Sequence, residues 1–285
     1  MAYTLPKEYL SASQISLLQK CGRQYELRYV EGKKSHSNIN MVSGSSIHKT
    51  NEMLYTDKRN GVSPLTQKQV AELTIYNFDT IVTEEDLPPV PAKDKDIYYS
   101  DIIPVAVDYA EHIVPYITPI ATELEFTYTS KCGVDILMYI DLIKQLREED
   151  PNSRSVVDYK ITGKKWSIAQ LTGSIQFMLY TKALGIPNIE IHNLIRKDKR
   201  SIPKNKYTPT YEKELDISQN LKCLQMEYPP REYDHVENII ERSARQISAG
   251  VFPMADPSSW ICTEKFCSYW DICRGQDPNR VIFLT

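Results

Sequence analysis

The sequence has little of what marks several common protein classes. Glycine is scarce, at 10 of 285 residues, and neither the GxGxxG nor the GxxxxGK(S/T) phosphate-binding pattern occurs. No run approaches the roughly 18 consecutive apolar residues that cross a bilayer. The first residues lack the basic start and apolar run of a secretory signal. A membrane bundle is therefore excluded, a phosphate-cradling loop is not expected, and a cytosolic location is predicted.

Neither sign of charge dominates the sequence. It contains 34 basic and 37 acidic residues, for a net charge of −3. A nucleic-acid partner would therefore be held by a local basic patch and not by the field of the whole protein. The chain is 41% hydrophobic and 25% charged, as is typical of soluble globular proteins, and its length allows one large domain or two small ones.

The apolar periodicity changes along the chain, from helical at the start to strand-like after about Thr122. The proline-rich and charged segment 84–96 predicts an exposed loop, and the residues around 150–153 predict a turn. Helices are predicted at 11–31, from 43–44 onward, at 167–184 and at 234–250, and strands at 123–130, 134–146, 155–161 and 189–197. This order predicts a small mixed sheet with a helix packed against it.

Two acidic residues lie within apolar strand patterns. Asp141 occurs in YIDLI and Asp158 in SVVDYKI. A buried carboxylate is costly unless a charge or a metal compensates it. Lys160 follows Asp158 by two residues, so strand alternation places both side chains on one face. Two acids and a lysine that converge could bind a divalent cation and orient a water nucleophile. The alternative is a structural Asp–Lys pair at a sheet edge.

The six cysteines are unevenly distributed. Cys262, Cys267 and Cys273 lie within twelve residues near the C-terminus, and Cys21 lies near the N-terminus. In a cytosolic chain such a cluster predicts metal ligation before disulfides. Four cysteines can hold a 4Fe–4S cluster or a tetrahedral zinc, although the paired C-x2-C knuckles typical of zinc ribbons are absent. The other two cysteines are interpreted as ordinary free thiols.

In combination these motifs resemble the PD-(D/E)XK nuclease superfamily, and within it the RecB-like and Cas4-like branch. The resemblance extends over residues 11–48 and 123–273. It is carried by GSSIH (44–48), YID ending at Asp141, DYK (158–160), QFMLY (176–180) and the cysteine segments at both ends. The sequence departs from the family where Gly22 replaces a common proline and where the last cysteines are spaced C-x4-C-x5-C instead of C-x2-C-x5-C.

The resemblance implies an α/β (α+β) fold with a restriction-endonuclease-like core, in which helices flank a small mixed sheet. It implies a single nuclease domain over 1–285, with a helical part at 1–122, a catalytic sheet core at 123–200 and a C-terminal helical part at 201–285. A cysteine-ligated cluster would join the N- and C-terminal segments. The implied cluster is 4Fe–4S on Cys21, Cys262, Cys267 and Cys273, with structural zinc as the alternative.

The resemblance also implies a metal site for Mg²⁺ or Mn²⁺. Lys160 would position the attacking water and offset charge on the phosphate, and Glu125 on the preceding strand would be a nearby or second-metal acid. For Glu125 a plain surface position is the open alternative. The implied metal ligands are His48, Asp141, Asp158 and the carbonyl of Ile161.

Polar and basic residues near this site are candidates for DNA contacts. Gln176 and Tyr180 share a helix face and could hold a phosphate or stack on a base, with simple helix packing as the alternative. The basic segment 196–207 follows the next strand and could contact phosphates, or it could be a solvated loop. The basic residues selected are Lys164, Lys165, Arg196, Lys197, Lys199 and Arg200.

The implied function is that of a metal-dependent DNA exonuclease that hydrolyses phosphodiester bonds at DNA ends. Its substrate would be single-stranded or end-containing DNA in a bacterial or phage-infected host cytosol. Its context would be recombination, repair, phage replication or CRISPR adaptation, with a helicase, annealing or recombination protein as partner and no membrane. The alternatives are a structure-specific or single-strand endonuclease and a non-catalytic DNA-binding adaptor on the same fold.

Overall fold

The computed structural model describes residues 3–35, 39–85, 90–147, 149–195, 216–218 and 221–275. The helices are α1 (Ala12–Lys20), α2 (Gly22–Tyr25), α3 (Ile39–Arg59), α4 (Gln67–Glu84), α5 (Ala92–His112), α6 (Ile168–Thr172), α7 (Ile175–Leu184), α8 (Glu232–Ser248) and α9 (Trp270–Arg274). The strands are β1 (Tyr9–Leu10), β2 (Thr118–Thr129), β3 (Asp135–Arg147), β4 (Asp150–Thr162), β5 (Asn188–Ile195), β6 (Asp216–Ser218) and β7 (Leu221–Glu227).

The chain folds into two compact units, and neither is continuous in sequence. The first contains Met1–Ile39, Glu125–Met138 and Pro229–Thr285, and the second contains Asn40–Leu124 and Tyr139–Tyr228. The first unit therefore joins the two ends of the chain, and the second holds most of the predicted sheet core. The single domain expected over 1–285 stays a prediction.

A mixed sheet forms the centre of the second unit. Its strands follow the order β3–β4–β5–β7–β6. β4 runs parallel to β5 and antiparallel to β3, while β7 is antiparallel to both β5 and β6. The crossover from β4 to β5 contains α6 and α7, since parallel neighbours need a long connection. Residues 155–159 of β4 are all buried. The predicted small mixed sheet flanked by helices is confirmed.

Several predicted element boundaries differ from those observed. The helix expected over 167–184 is two helices, because the chain breaks at Gly173 and Ser174, which cap the end of α6 and the start of α7. Ser167 begins α6 through a capping box with Gln170. The helix expected from 43–44 begins at Ile39, and α5 begins at Ala92 inside the expected loop. The expected turn at 150–153 is the start of β4.

In the first unit, α1 contacts both α2 and α8. Ser11 caps α1 by accepting a hydrogen bond from the Gln14 N–H. β1 pairs in parallel with the first residues of β3. At Gly22 a side chain has no room, since a Cβ there would lie 2.7 Å from the carbonyl carbon of Phe252 and the nitrogen of Pro253. Glycine is needed at this position because the two backbones meet so closely.

Candidate active site

Three metal-binding side chains converge in the second unit. His48 projects from α3, Glu123 from β2 and Asp141 from β3, and one ligand atom of each lies within 4.8 Å of the other two. The His48 Nδ1 is 3.4 Å from an Asp141 Oδ2. One imidazole and two carboxylates suit a divalent cation such as Mg²⁺ or Mn²⁺. These three residues are called the metal trio below.

The backbone and a buried tyrosine hold the metal trio in place. The Asp141 Oδ2 accepts a hydrogen bond of 2.8 Å from the Tyr159 N–H on the neighbouring strand. The His48 ring packs edge-on against the Tyr159 ring, with centroids 5.4 Å apart. Glu123 has a φ of +43°, which side-chain-bearing residues seldom adopt. Regular strand geometry is thus interrupted where the chain presents Glu123.

Burial and neighbouring charges shift the pKa of Glu123 and of His48. Burial and the Asp141 carboxylate raise the pKa of Glu123 to about 7, although His48 opposes the shift. Burial lowers the pKa of His48, but the Asp141, Asp158 and Glu123 carboxylates together outweigh it, so that the pKa lies above its ordinary value. Glu123 and His48 therefore each hold a proton more tightly than they would in water. A divalent cation that displaces those protons would relieve the repulsion between the carboxylates.

A second group of polar side chains surrounds Asp158, which is 1% exposed. One Asp158 oxygen lies 2.7 Å from the Lys160 Nζ, and the other accepts a hydrogen bond of 2.9 Å from the Gln176 Nε2. The Lys160 Nζ also donates to the Gln176 Oε1 at 3.2 Å. Tyr180 contacts the Gln176 amide at 2.8 Å and donates to the Tyr139 carbonyl. The strand pair and the helix face that the sequence predicts are therefore joined in one network.

Two aromatic rings enclose the Lys160 ammonium. Its Nζ lies 5.2 Å from the centroid of the Trp166 ring and 5.2 Å from that of Phe177. The two rings meet edge to face, with centroids 5.8 Å apart. The backbone N–H of Trp166 donates to the Oδ1 of the buried Asn193 at 2.7 Å, which anchors the loop. Cation–π contacts of this kind attract the ammonium group and fix its position.

Asp158 is the most buried carboxylate of the site. Burial raises its pKa, the Lys160 ammonium lowers it, and the Asp141 carboxylate raises it again, for a net rise. Asp158 thus lies close enough to the trio to feel the Asp141 charge. In the structure, however, it is paired with Lys160 and is not among the three side chains whose ligand atoms meet.

The remaining predicted site residues lie in different settings. The acid of β2 that meets His48 and Asp141 is Glu123, whereas the predicted Glu125 is exposed. Ile161 follows Lys160 on β4 and is partly buried. Lys164 and Lys165 are exposed in the loop before α6. The predicted residues Arg196, Lys197, Lys199 and Arg200 lie outside the described residues.

The four cysteines selected from the sequence line one cavity of about 190 Å³ in the first unit. The other two cysteines do not line it. Burial raises the pKa of the Cys267 and Cys273 thiols, so a metal would have to displace protons to bind there. Among the described residues, no three of the four sulfurs lie within 4.8 Å of one another. The four are Cys21, Cys262, Cys267 and Cys273.

Comparison with known proteins gives a family match over most of the chain. The model for the PD-(D/E)XK nuclease superfamily matches residues 9–274. Among solved structures, the crystal structure of SSO0001 matches at 10% sequence identity and a TM-score of 0.40, and covers 97% of this chain and 89% of that chain. No curated protein sequence matches. Within the described residues, no helix is both long and apolar enough to span a membrane. The family match and the mixed sheet confirm the predicted fold class.

Proposed function

Because the chain belongs to the PD-(D/E)XK nuclease superfamily, whose members are metal-dependent nucleases, we propose that it is an exonuclease that hydrolyses phosphodiester bonds at DNA ends. The observation that carries this proposal is the meeting of His48, Glu123 and Asp141 in the unit that also holds the Asp158–Lys160 pair. A decayed fold that only binds DNA would have no need of both groups.

His48, Glu123 and Asp141 would hold Mg²⁺ or Mn²⁺, with Asp158 as a further carboxylate next to them. When bound, the ion supplies Lewis-acid chemistry, lowering the pKa of a water molecule and offsetting charge on the scissile phosphate. Lys160 adds a fixed positive charge at the same place. Its ammonium is held by Asp158, Gln176 and two aromatic rings, so it can orient the attacking water without reorganising.

Preference for DNA ends follows from the resemblance to the RecB-like and Cas4-like branch, which the motif order and the cysteines support. The same resemblance supports a role in recombination, repair, phage replication or CRISPR adaptation. A helicase partner would unwind duplex DNA and expose single-stranded ends for cleavage, and an annealing or recombination protein would act on the product.

Incubation with end-labelled linear DNA and with closed circular DNA tests the proposal. With Mg²⁺ or Mn²⁺, the linear DNA should be degraded and the circular DNA should stay intact. A matched reaction with Asp158→Ala should leave both intact. Cleavage of circular single-stranded or double-stranded DNA would show an endonuclease instead. Tight binding with no cleavage in either metal would show a DNA-binding adaptor.

We further propose that the four cysteines hold a 4Fe–4S cluster that fastens the two ends of the chain together. Two features support a cluster over a single zinc ion. All four cysteines line one cavity, and the paired C-x2-C knuckles typical of zinc ribbons are absent from the sequence. One distant cysteine with a late group of three is the arrangement of the RecB-like and Cas4-like branch that the sequence resembles.

Anaerobic purification tests the cluster. The protein should be brown, and its visible absorption should bleach on oxidation. Replacing any one of the four cysteines with serine should remove the colour and lower stability, whereas Cys132→Ser and Cys223→Ser serve as matched controls and should do neither. A colourless protein with one zinc per chain would overturn the iron assignment. A protein with no metal would remove the cysteine centre altogether.

A further inference from the structure

We propose that N–H donors around the cysteine cavity form a charge-balancing shell that sets the reduction potential of the metal–thiolate centre. This inference rests on the 4Fe–4S cluster proposed above and goes beyond it. It assigns a role to residues that are not ligands, above all Gln24 and Arg274. Both side chains line the cavity alongside the cysteines.

Each donor points at the sulfur of a different cysteine. One is a side-chain amide, one is a backbone amide, and one is a guanidinium. The three donor–acceptor pairs are Gln24 Nε2 to Cys267 Sγ (3.2 Å), Ala255 N to Cys21 Sγ (3.4 Å) and Arg274 Nη2 to Cys262 Sγ (3.6 Å). The set thus covers three of the four sulfurs.

The fourth sulfur faces a second guanidinium. Burial raises the pKa of the Cys273 thiol, and the nearby Arg23 guanidinium opposes that rise. Arg23 is also paired with Glu26 at 2.7 Å and with Glu31 at 2.6 Å. Its positive charge is therefore already countered by two carboxylates. Arg274 is the better placed of the two guanidiniums to balance charge on the cysteines.

The charge of the centre explains why such donors matter. Four thiolates around a 2+ cluster carry a net charge of −2, and the uptake of one electron from an external reductant makes it −3. In a bound cluster, this reduction would change the iron core from 2+ to 1+ and would break no bond. Most of the cavity lining is apolar, including Met254, Pro257 and Ile261, so charge is poorly screened there. N–H donors stabilise the more negative state and raise the potential.

The local fold positions the three donors next to the cysteines. Gln24 lies one turn after Cys21, at the start of the helical segment that this cysteine begins. Arg274 ends α9, and its guanidinium lies 4.5 Å from the centroid of the Trp270 ring. The Ala255 amide follows the chain segment that packs against Gly22. The donors of this shell therefore come from both the N-terminal and the C-terminal segment of the first unit.

A redox titration of the full chain tests the inference. The anaerobically purified protein is reduced stepwise with dithionite and mediators while the visible absorption is followed. In Gln24→Leu and Arg274→Gln, the midpoint potential should become more negative. At a given potential, the ratio of reduced to oxidised protein should fall at least tenfold. For a one-electron couple this is about 59 mV. Gln246→Leu and Arg245→Gln, on α8 and outside the cavity lining, are the matched controls and should keep the wild-type midpoint.

Two further variants distinguish a change in the N–H donors from loss of the cluster. Gln24→Glu keeps the size of the side chain but replaces the donor with a negative charge, so it should shift the midpoint further than Gln24→Leu. Arg274→Lys keeps the charge and should restore part of the wild-type value. Iron-loaded variants with the wild-type midpoint would overturn the shell while leaving the proposed cluster intact. A wild-type protein without iron would overturn the cluster itself, and the shell with it, before any variant is measured.

Discussion

Replacement of Glu123 with glutamine directly tests the raised pKa of Glu123 and the binding of a metal ion by the metal trio. In the metal-free protein, burial and Asp141 raise the pKa of Glu123 to about 7, from an ordinary value of 4.5. Because folding raises this pKa, the folded state holds the proton more tightly than the unfolded state. The stability that the proton contributes is fully present below pH 4.5 and is lost as the pH rises through 7.

The structure sets the size of the effect. A rise from 4.5 to about 7 corresponds to about 3 kcal/mol, at about 1.4 kcal/mol per tenfold change in proton affinity. Glu123 is partly exposed, so solvent screening reduces this to about 1–2 kcal/mol. Between pH 5 and pH 8, the metal-free wild type should lose about that much free energy of unfolding through this carboxyl. Glutamine does not ionise, so the variant should lack this loss.

Urea unfolding in EDTA at both pH values provides the measurement. Glu125→Gln is the matched control, because it makes the same chemical change two residues along β2 at an exposed position. This control should keep the wild-type pH dependence. At pH 8, added Mn²⁺ should stabilise the wild type and the control more than Glu123→Gln. The reasoning is refuted if Glu123→Gln shows the full wild-type loss in EDTA, or if Glu125→Gln is the variant that abolishes it.

Three other predictions concern catalysis and DNA binding. Lys160→Ala should abolish cleavage of end-labelled DNA while circular dichroism and DNA binding stay close to wild type. Lys68→Ala, at an exposed position on α4, should cleave normally, and cleavage by Lys160→Ala at the wild-type rate would disprove this site. Trp166→Ala should lower turnover several-fold to about tenfold with little change in KM, and Trp166→Phe should restore most of it. Trp260→Ala, which removes a ring beside Lys20 in the other unit, should not change turnover. Neutralising the basic residues of 196–200 should weaken DNA binding and flatten its salt dependence, while turnover at saturating DNA survives; an unchanged salt slope would mean a solvated loop. The residues to neutralise are Arg196, Lys197, Lys199 and Arg200.

Local patterns predicted the geometry around Asp158 well. The spacing of two residues in a strand placed Asp158 and Lys160 on one face, and the structure pairs them at 2.7 Å. The spacing of four residues in a helix placed Gln176 and Tyr180 together, and their polar atoms lie 2.8 Å apart. Such relations depend only on the structural period of a strand or a helix, so they follow directly from the number of residues between the two side chains.

Relations that depend on irregular backbone or on distant chain segments could not be predicted in the same way. Glu123 and Glu125 are equivalent in an ideal strand, because both lie on the same face. The choice between them depends on the left-handed φ at Glu123, and no local signal marks that residue. The contact of Trp166 with Lys160 is equally hidden, since it depends on Asn193 in β5 anchoring the loop.

The discontinuous first unit also affects how the protein is made. Cys21 leaves the ribosome about 250 residues before Cys273, which at 5–20 residues per second is roughly 10–50 s. During that interval α1 has been made, but α8, which it contacts in the folded protein, has not. The apolar side chains that α1 buries are Ile15 and Leu18. Their burial against α8 cannot be completed until the last part of the chain has been made. The second unit, complete by Tyr228, can fold earlier, so synthesis arrested between the two stages would leave a folded sheet with an unpartnered N-terminal helix.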